Sequence, residues 1–116
     1  MNELELIPIG FWQEGETPQP RSRLPHPLDH VDPAWDIHER HRVASYLREA
    51  KVVASYRGMS SCRICGCRNG SQEHSDGTYL WPSGFSHYLL LHDVKPPQEF
   101  IDHVLARALV KAEKKS

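Results

Sequence analysis

The sequence predicts a small single domain of the α+β class. Two long stretches have apolar residues at helical spacing, and short β-branched or aromatic runs bounded by glycine and proline lie between and around them. A chain of 116 residues is one domain's worth and can bury only a modest core. We therefore expect three helices packed on a short β-hairpin or small sheet, with one further element built around a cluster of cysteines.

The predicted domain covers residues 1–116 and has four parts. Residues 1–33 are expected to form a short N-terminal strand, restricted to a sheet edge by a proline, and then a proline-rich arm. A helix and a strand occupy residues 34–57. The cysteine cluster and a second helix occupy residues 58–95, and residues 96–116 form the C-terminal helix.

Capping residues and apolar periodicity predict the three helices. Asp32 is a capping residue, and Pro33 occupies the first helical position of a helix that runs to Ala50. Ser83 caps the second helix, "SGFSHYLLLHDV". The third covers residues 97–115 after a proline pair. Its expected buried stripe consists of Phe100, Ile101, Val104, Leu105, Ala108 and Leu109.

Two strands are predicted beside the N-terminal one. "VVASY" at 52–56 is β-branched and aromatic and is followed by glycine, while "TYLW" at 78–81 follows a turn signal. The segment between them is dense in turn-forming residues, and its strongest signals are Asn69-Gly70 and Asp76-Gly77. We therefore expect a loop between the cysteines and the second of these strands.

Composition and charge indicate an ordinary soluble protein. The formal net charge is -1, with 39% hydrophobic and 25% charged residues, so no overall field favours nucleic acid or membrane. No apolar run approaches the roughly 18 residues of a membrane span. The N-terminus has acidic residues where a secretion signal has basic ones. We expect a cytoplasmic protein with no membrane association.

Three cysteines, Cys62, Cys65 and Cys67, lie within the six-residue segment "CRICGC". A reducing compartment keeps thiols free, and an odd number leaves one thiol over after any pairing. Clustered cysteines in such a protein more often hold a metal or do chemistry. A disulfide is therefore the least favoured interpretation.

Cys62 and Cys65 are expected to hold a metal ion together with His87 and His92. Two thiolates two residues apart on a tight turn can grip one ion, and Gly66 helps the turn form. The two histidines are five positions apart on the second helix, within the spacing of zinc-binding histidine pairs. Thiolate plus imidazole in a tetrahedral set favours zinc.

This pattern resembles the two-cysteine, two-histidine zinc finger, in which a CxxC knuckle and a helical histidine pair bind one ion. The resemblance implies one structural Zn²⁺ and a zinc-knuckle or ββα-like element. Twenty-one residues separate Cys65 from His87, against about twelve in the compact finger. Cys67, His74 and His103 therefore stay open as substitute ligands.

Residues 58–105 also resemble a group of small bacterial proteins with no assigned activity. The similarity lies in "CRICG", "SDGTYLWPSGFSHYLLLH" and "PPQEF". It implies no function.

Known enzyme patterns fit poorly. A zinc deaminase has its proline-preceded CxxC after the histidine, whereas here the cysteines come first. "HERH" at 38–41 is one residue shorter than the HExxH motif of zinc proteases. A thioredoxin-type CxxC begins a helix, whereas "CRICGC" lies on a glycine-containing turn. If all four ligands come from the protein, no coordination position remains for a reacting water.

We therefore expect a small zinc-stabilised adaptor or regulator that binds another protein. Aromatic residues anchor interfaces, although they can equally fill the core; the candidates are Trp12, Trp35, Trp81, Tyr79 and Tyr88. The alternative is a nucleic-acid-binding zinc-finger protein that uses Arg57, Arg63 and Arg68. A small metal- or thiol-dependent enzyme is the third possibility.

Overall fold

Three α-helices and a four-stranded sheet confirm the predicted α+β class. The computed structural model describes residues 5–13, 15 and 17–115, with side chains described as far as Ala108. Leu109 of the predicted stripe lies outside the described side chains. The elements are β1 (Ile7–Pro8), α1 (Ile37–Glu49), β2 (Lys51–Ser61), β3 (Arg68–Ser75), β4 (Tyr79–Pro82), α2 (Phe85–His92) and α3 (Gln98–Lys115).

The sheet has the strand order β1-β4-β3-β2. β3 is antiparallel to both of its neighbours, with Val52 opposite His74 and Trp81 also opposite His74. β1 pairs with β4 in the parallel sense and lies at the edge, as its proline predicts. β2 forms the opposite edge.

The prediction of a loop after the cysteines is wrong. Residues 68–75 form β3, one of the two interior strands, and Asn69-Gly70 lies within it instead of forming a turn. β2 is also longer than the predicted 52–56. The reason is tertiary, because hydrogen bonding to strands on both sides outweighs the weak strand propensity of "RNGSQEHS". The turn at Asp76-Gly77 does join β3 to β4, as predicted.

Two of the helices begin later than predicted. Asp36, not Asp32, caps α1 by accepting a hydrogen bond from the Glu39 N–H at 2.8 Å. Ser83 does not cap α2, which starts after Gly84, because its hydroxyl accepts from the Gln72 N–H of β3. In the described part of the chain, no helix combines the length and apolarity that a membrane crossing requires.

The large aromatic side chains fill the core. Trp12, Trp35, Trp81 and Tyr88 are buried, and Tyr79 is half-buried against Phe100. Of the two roles that the sequence leaves open for these aromatic residues, the four buried ones have the core role. In the described part of the chain, the same core also contains Val43, Ala44, Leu47, Cys62, Phe85, Leu89, Val94, Phe100, Ile101 and Val104.

Buried polar groups hold the proline-rich arm in one conformation, and the Lys95 N–H joins it to the body by donating to the His30 carbonyl at 2.9 Å. The Gln13 amide donates to the Leu24 carbonyl at 2.9 Å and accepts from the Gln19 N–H at 2.6 Å. His26, to which the sequence assigned no role, is fully buried with its Nε2 2.9 Å from the Gly15 carbonyl oxygen. The arm is therefore an ordered part of the fold in its described residues.

Candidate metal centre

A tight turn over residues 62–67 joins β2 to β3. The Cys62 N–H donates to the Cys67 carbonyl at 2.8 Å, and the Gly66 N–H donates to the Cys62 carbonyl at 2.9 Å. Gly66 has φ of 76°, in the left-handed region that a glycine adopts without a Cβ clash. The chain can reverse its direction at this point because Gly66 adopts the required backbone conformation without strain.

The turn directs backbone N–H groups at the Cys62 sulfur. Ile64 and Cys65 each donate to Cys62 Sγ at 3.4 Å, and Cys62 itself is buried. The backbone of the turn itself therefore holds the Cys62 sulfur in place.

α2 supplies the two imidazoles. His87 lies in its first turn and His92 is its last residue. Asp93 follows with φ of 57° and ends the helix, and its N–H donates to the Tyr88 carbonyl. The ring centroids of His87 and His92 lie 5.1 Å apart, so the five-residue spacing brings both rings to one place.

The turn and the helix bring the four predicted residues together. One ligand atom from each of Cys62, Cys65, His87 and His92 lies within 4.8 Å of all the others. Cys65 Sγ is 3.4 Å from His87 Nε2. These four residues could hold a metal ion, and we call them the CCHH cluster.

Tyr88 ties the turn to the helix independently of any metal. Its hydroxyl oxygen accepts a hydrogen bond from the Arg63 N–H at 2.7 Å, and its ring packs edge-on against Trp12. The sequence does not predict this contact, because Tyr88 stands out there only as an aromatic residue in an apolar helix. Because Tyr88 and the two histidines share one short helix, the contact helps fix the imidazoles relative to the sulfurs.

The substitute ligands have other environments. His74 is buried with Nδ1 2.9 Å from the Ala50 carbonyl oxygen, and His103 Nε2 lies 2.8 Å from Asp76 Oδ2. Cys67 is exposed and is not part of the cluster that the described residues form. The long interval between the cysteines and histidines consists mainly of β3, its turn and β4, which together return the chain to the turn.

The surroundings of Cys65 and Cys67 shift the pKa values of both thiols. The Cys67 backbone N–H, followed by the His92 and His87 side chains, lowers the pKa of the Cys65 thiol to about 5. Cys65 consequently carries a thiolate at neutral pH. A hydrogen bond with the Cys65 side chain, followed by the negative charge of Cys65, raises the pKa of the Cys67 thiol.

The donor set fits a borderline-soft metal ion. His92 Nε2 is buried and has no hydrogen-bond partner among the described residues, so one ligand-type nitrogen is left unsatisfied. Two sulfurs and two imidazoles are the donors that tetrahedral zinc sites use. The residues present therefore fit zinc.

No protein-family model matches the sequence, and neither a curated protein nor a solved structure matches it. The resemblance to the two-cysteine, two-histidine zinc finger therefore rests on the residue pattern and on the geometry of the CCHH cluster.

Proposed function

We propose that this chain is a small zinc-stabilised adaptor that binds another protein. Cys62, Cys65, His87 and His92 hold one structural Zn²⁺ in this proposal. The observation that carries it is the position of the CCHH cluster at the tip of the β2–β3 hairpin, where two ligands come from the hairpin turn and two from α2. An ion there fastens the hairpin to the helical body.

The zinc has a structural role in this proposal. Four protein ligands complete a tetrahedral ion and leave no position for a reacting water. When bound, the ion supplies cross-linking energy, on the order of 10 kcal/mol in small zinc modules. This is comparable to the whole stability of a domain of this size. An enzymatic role is correspondingly less favoured.

The surface available to a partner is the outer strand of the hairpin. Nearly every residue of β2 is exposed, and four of them are large and apolar. These are Val52, Val53, Tyr56 and Met59, with exposed fractions of 41 to 56%. Exposed apolar side chains along an edge strand are typical of a protein-binding surface.

Metal analysis tests the zinc site. We expect one zinc per purified chain, measured by elemental mass spectrometry, and loss of it in Cys62→Ser and His92→Ala. Cys67→Ser is the matched control and keeps the metal, because Cys67 lies outside the cluster. A protein without stoichiometric zinc, or equal zinc in all three variants, would remove the structural ion from the proposal.

Affinity capture with matched baits tests the binding role. The wild-type chain and Ile37→Ser, which alters an exposed apolar residue on α1, should retain the same partner protein. The double variant Val53→Ser/Met59→Ser should lose it while remaining folded and zinc-loaded. Retention of the same proteins by all three baits would contradict binding through β2.

Nucleic acid binding is the second candidate, because one observation favours it. Residues 51–75 contain four lysines and arginines and a single acid, Glu73, although the whole chain has a net charge of -1. Such a basic segment attracts phosphate. A salt-dependent gel shift with duplex or single-stranded DNA would support this alternative over the adaptor.

A further inference from the structure

The outer edge of β2 has no strand beside it in the described part of the chain. β2 is the last strand in the order β1-β4-β3-β2, and its residues pair only with β3. Backbone N–H and C=O groups along such an edge can pair with an added strand. At the start of β2, Lys51 to Ser55 lie opposite Gln72 to Ser75, with Val53 as one extra residue on the β2 side.

A second, larger bulge follows this part of β2. Ser55 faces Gln72 and Ser60 faces Gly70, so residues 56–59 lie opposite a single residue of β3. The bulge exposes Tyr56, Arg57 and Met59. It limits a backbone ladder to the first part of β2 and places an aromatic, a cationic and a thioether side chain beside its end.

The hairpin is cationic. Lys51, Arg57 and Arg68 are exposed, and none of them belongs to the ion pairs of the described residues, which are Arg40–Asp93 and His103–Asp76. Residues 51–75 contain four lysines and arginines and one carboxylate, that of Glu73. The hairpin therefore has a net positive charge, and the rest of the chain is net acidic.

These charges decide between the possible occupants of the edge. A second copy pairing through β2 would bring two cationic hairpins together, which is unfavourable. Nucleic acid would use the arginines but would leave the backbone edge and the apolar side chains without partners. An extended acidic peptide satisfies the backbone edge, the apolar residues and the cations Lys51 and Arg57 together.

We propose that β2 captures an extended acidic segment of the partner protein as an added strand along Lys51–Ser55, with its carboxylates facing Lys51 and Arg57. This inference rests on the proposed adaptor function and specifies the chemistry of its partner. The strand's backbone supplies affinity in this arrangement, and the two cations supply charge selectivity.

A peptide titration on the zinc-loaded chain tests this inference. The probe is a fluorescein-labelled eight-residue peptide of alternating glutamate and valine, followed by fluorescence anisotropy. One control peptide has lysine in place of glutamate. The second has proline in place of two valines, which removes two backbone donors. Labelled DNA of 20 nucleotides, single-stranded and duplex, serves as the competing class.

We expect saturable binding of the acidic peptide and at least tenfold weaker binding of both control peptides. Lys51→Ala and Arg57→Ala should each weaken binding about two- to fivefold at low salt, with no change for Arg42→Ala on α1. Amide exchange of residues 51–55 should slow at least tenfold with peptide bound, since new ladder bonds protect these amides.

Several results would overturn the inference. They are absence of binding, equal binding of the lysine or proline peptide, unchanged amide exchange at 51–55, or tighter binding of DNA than of the acidic peptide. If the peptide does not bind, but the chain has a normal zinc content and still captures a partner through β2, only the inference of an acidic added strand is wrong. Loss of capture through β2 as well would remove the adaptor function itself.

Discussion

The Tyr46 hydroxyl donates a hydrogen bond to Asp76 Oδ2 at 2.5 Å and so joins α1 to the turn between β3 and β4. His103 Nε2 on α3 lies 2.8 Å from the same oxygen. Asp76 Oδ1 accepts from the Thr78 and Tyr79 N–H groups, each at 2.9 Å. One nearly buried carboxylate thus connects two helices and the sheet, at a site separate from the CCHH cluster.

Replacing this carboxylate should destabilise the fold. Asp76→Asn keeps one acceptor oxygen but places an NH₂ group where two donors now converge. We expect a loss of about 2–3 kcal/mol in the free energy of unfolding, measured by urea denaturation. Asp102→Asn is the matched control, because Asp102 is exposed and accepts only from Gln98 within α3. Equal losses in the two variants would contradict the connecting role of Asp76.

The same contacts predict how stability depends on pH. Burial alone would raise the pKa of Asp76, but hydrogen bonds from Tyr46, the Tyr79 N–H, His103 and the Thr78 N–H outweigh it and lower the pKa to about 2 from 3.8. A group with a depressed folded-state pKa stabilises the fold above its unfolded pKa. The contribution, about 2 kcal/mol, is lost as pH falls from about 4 toward 2.

The measurement is the difference in unfolding free energy between wild type and Asp76→Asn at several pH values. We expect this difference to be constant above pH 5 and to shrink between pH 4 and pH 2.5. Taking the difference at each pH cancels the acid-induced loss of metal, which affects both proteins. A difference that is independent of pH would show that Asp76 is not the titrating group.

Local signals predicted the helices well, and the sheet poorly. α3 is nearly where its proline pair and apolar stripe place it, because those signals are contained within the helix itself. β3 reads as a loop because its sequence is polar and turn-rich, and it becomes a strand through neighbours on both sides. The turn at Asp76 could be predicted from the local sequence. Its hydrogen-bond partners Tyr46 and His103 could not, because they lie 30 and 27 positions away.

The residues of the CCHH cluster could be predicted because cysteine and histidine spacing reflects a chemical requirement as well as packing. Their common position could not be derived from spacing alone, since it requires β3 and β4 to return the chain to the turn. The Arg63–Tyr88 hydrogen bond and the ending of α2 at Asp93 have no sequence signal of their own. Both depend on groups brought together by the whole fold.

Asp93 next to the cluster gives a prediction in which two effects have opposite signs. Its left-handed backbone favours glycine, so Asp93→Gly relieves strain of about 1 kcal/mol. Its carboxylate pairs with the buried Arg40 guanidinium, which also donates to the Trp35 carbonyl at 2.9 Å. Loss of the pair leaves a buried charge unmatched, at a cost of up to about 3–5 kcal/mol.

We expect the loss of the ion pair to outweigh the relief of strain, so that Asp93→Gly is less stable than wild type by about 1–3 kcal/mol. The loss is smaller than for a fully buried pair because the Asp93 side chain is 42% exposed. Thermal and urea unfolding of zinc-loaded protein measure the change. Asp93→Asn, which tolerates the left-handed backbone and lacks the charge, should also be destabilised. An increase in stability for Asp93→Gly would show that backbone strain outweighs the ion pair.

Two glycines with nearly the same backbone angle should respond very differently to alanine. Gly10 has φ of 77° and Gly66 has φ of 76°, so either substitution brings a left-handed strain of about 1 kcal/mol. A Cβ at Gly66 meets no atom within 4 Å, whereas a Cβ at Gly10 would lie 2.6 Å from Phe85 Cγ. The Phe85 ring is fully buried and cannot move aside without disturbing the core.

We therefore expect Gly10→Ala to lower the free energy of unfolding by about 2–4 kcal/mol and Gly66→Ala by about 1 kcal/mol. Urea denaturation of zinc-loaded protein measures both. Gly10→Ala should cost less when it is added to Phe85→Leu than when it is added to the wild type, because leucine lacks the ring that the new Cβ meets. Equal effects of the two single substitutions would show that the backbone angle, and not the contact with Phe85, sets the cost at Gly10.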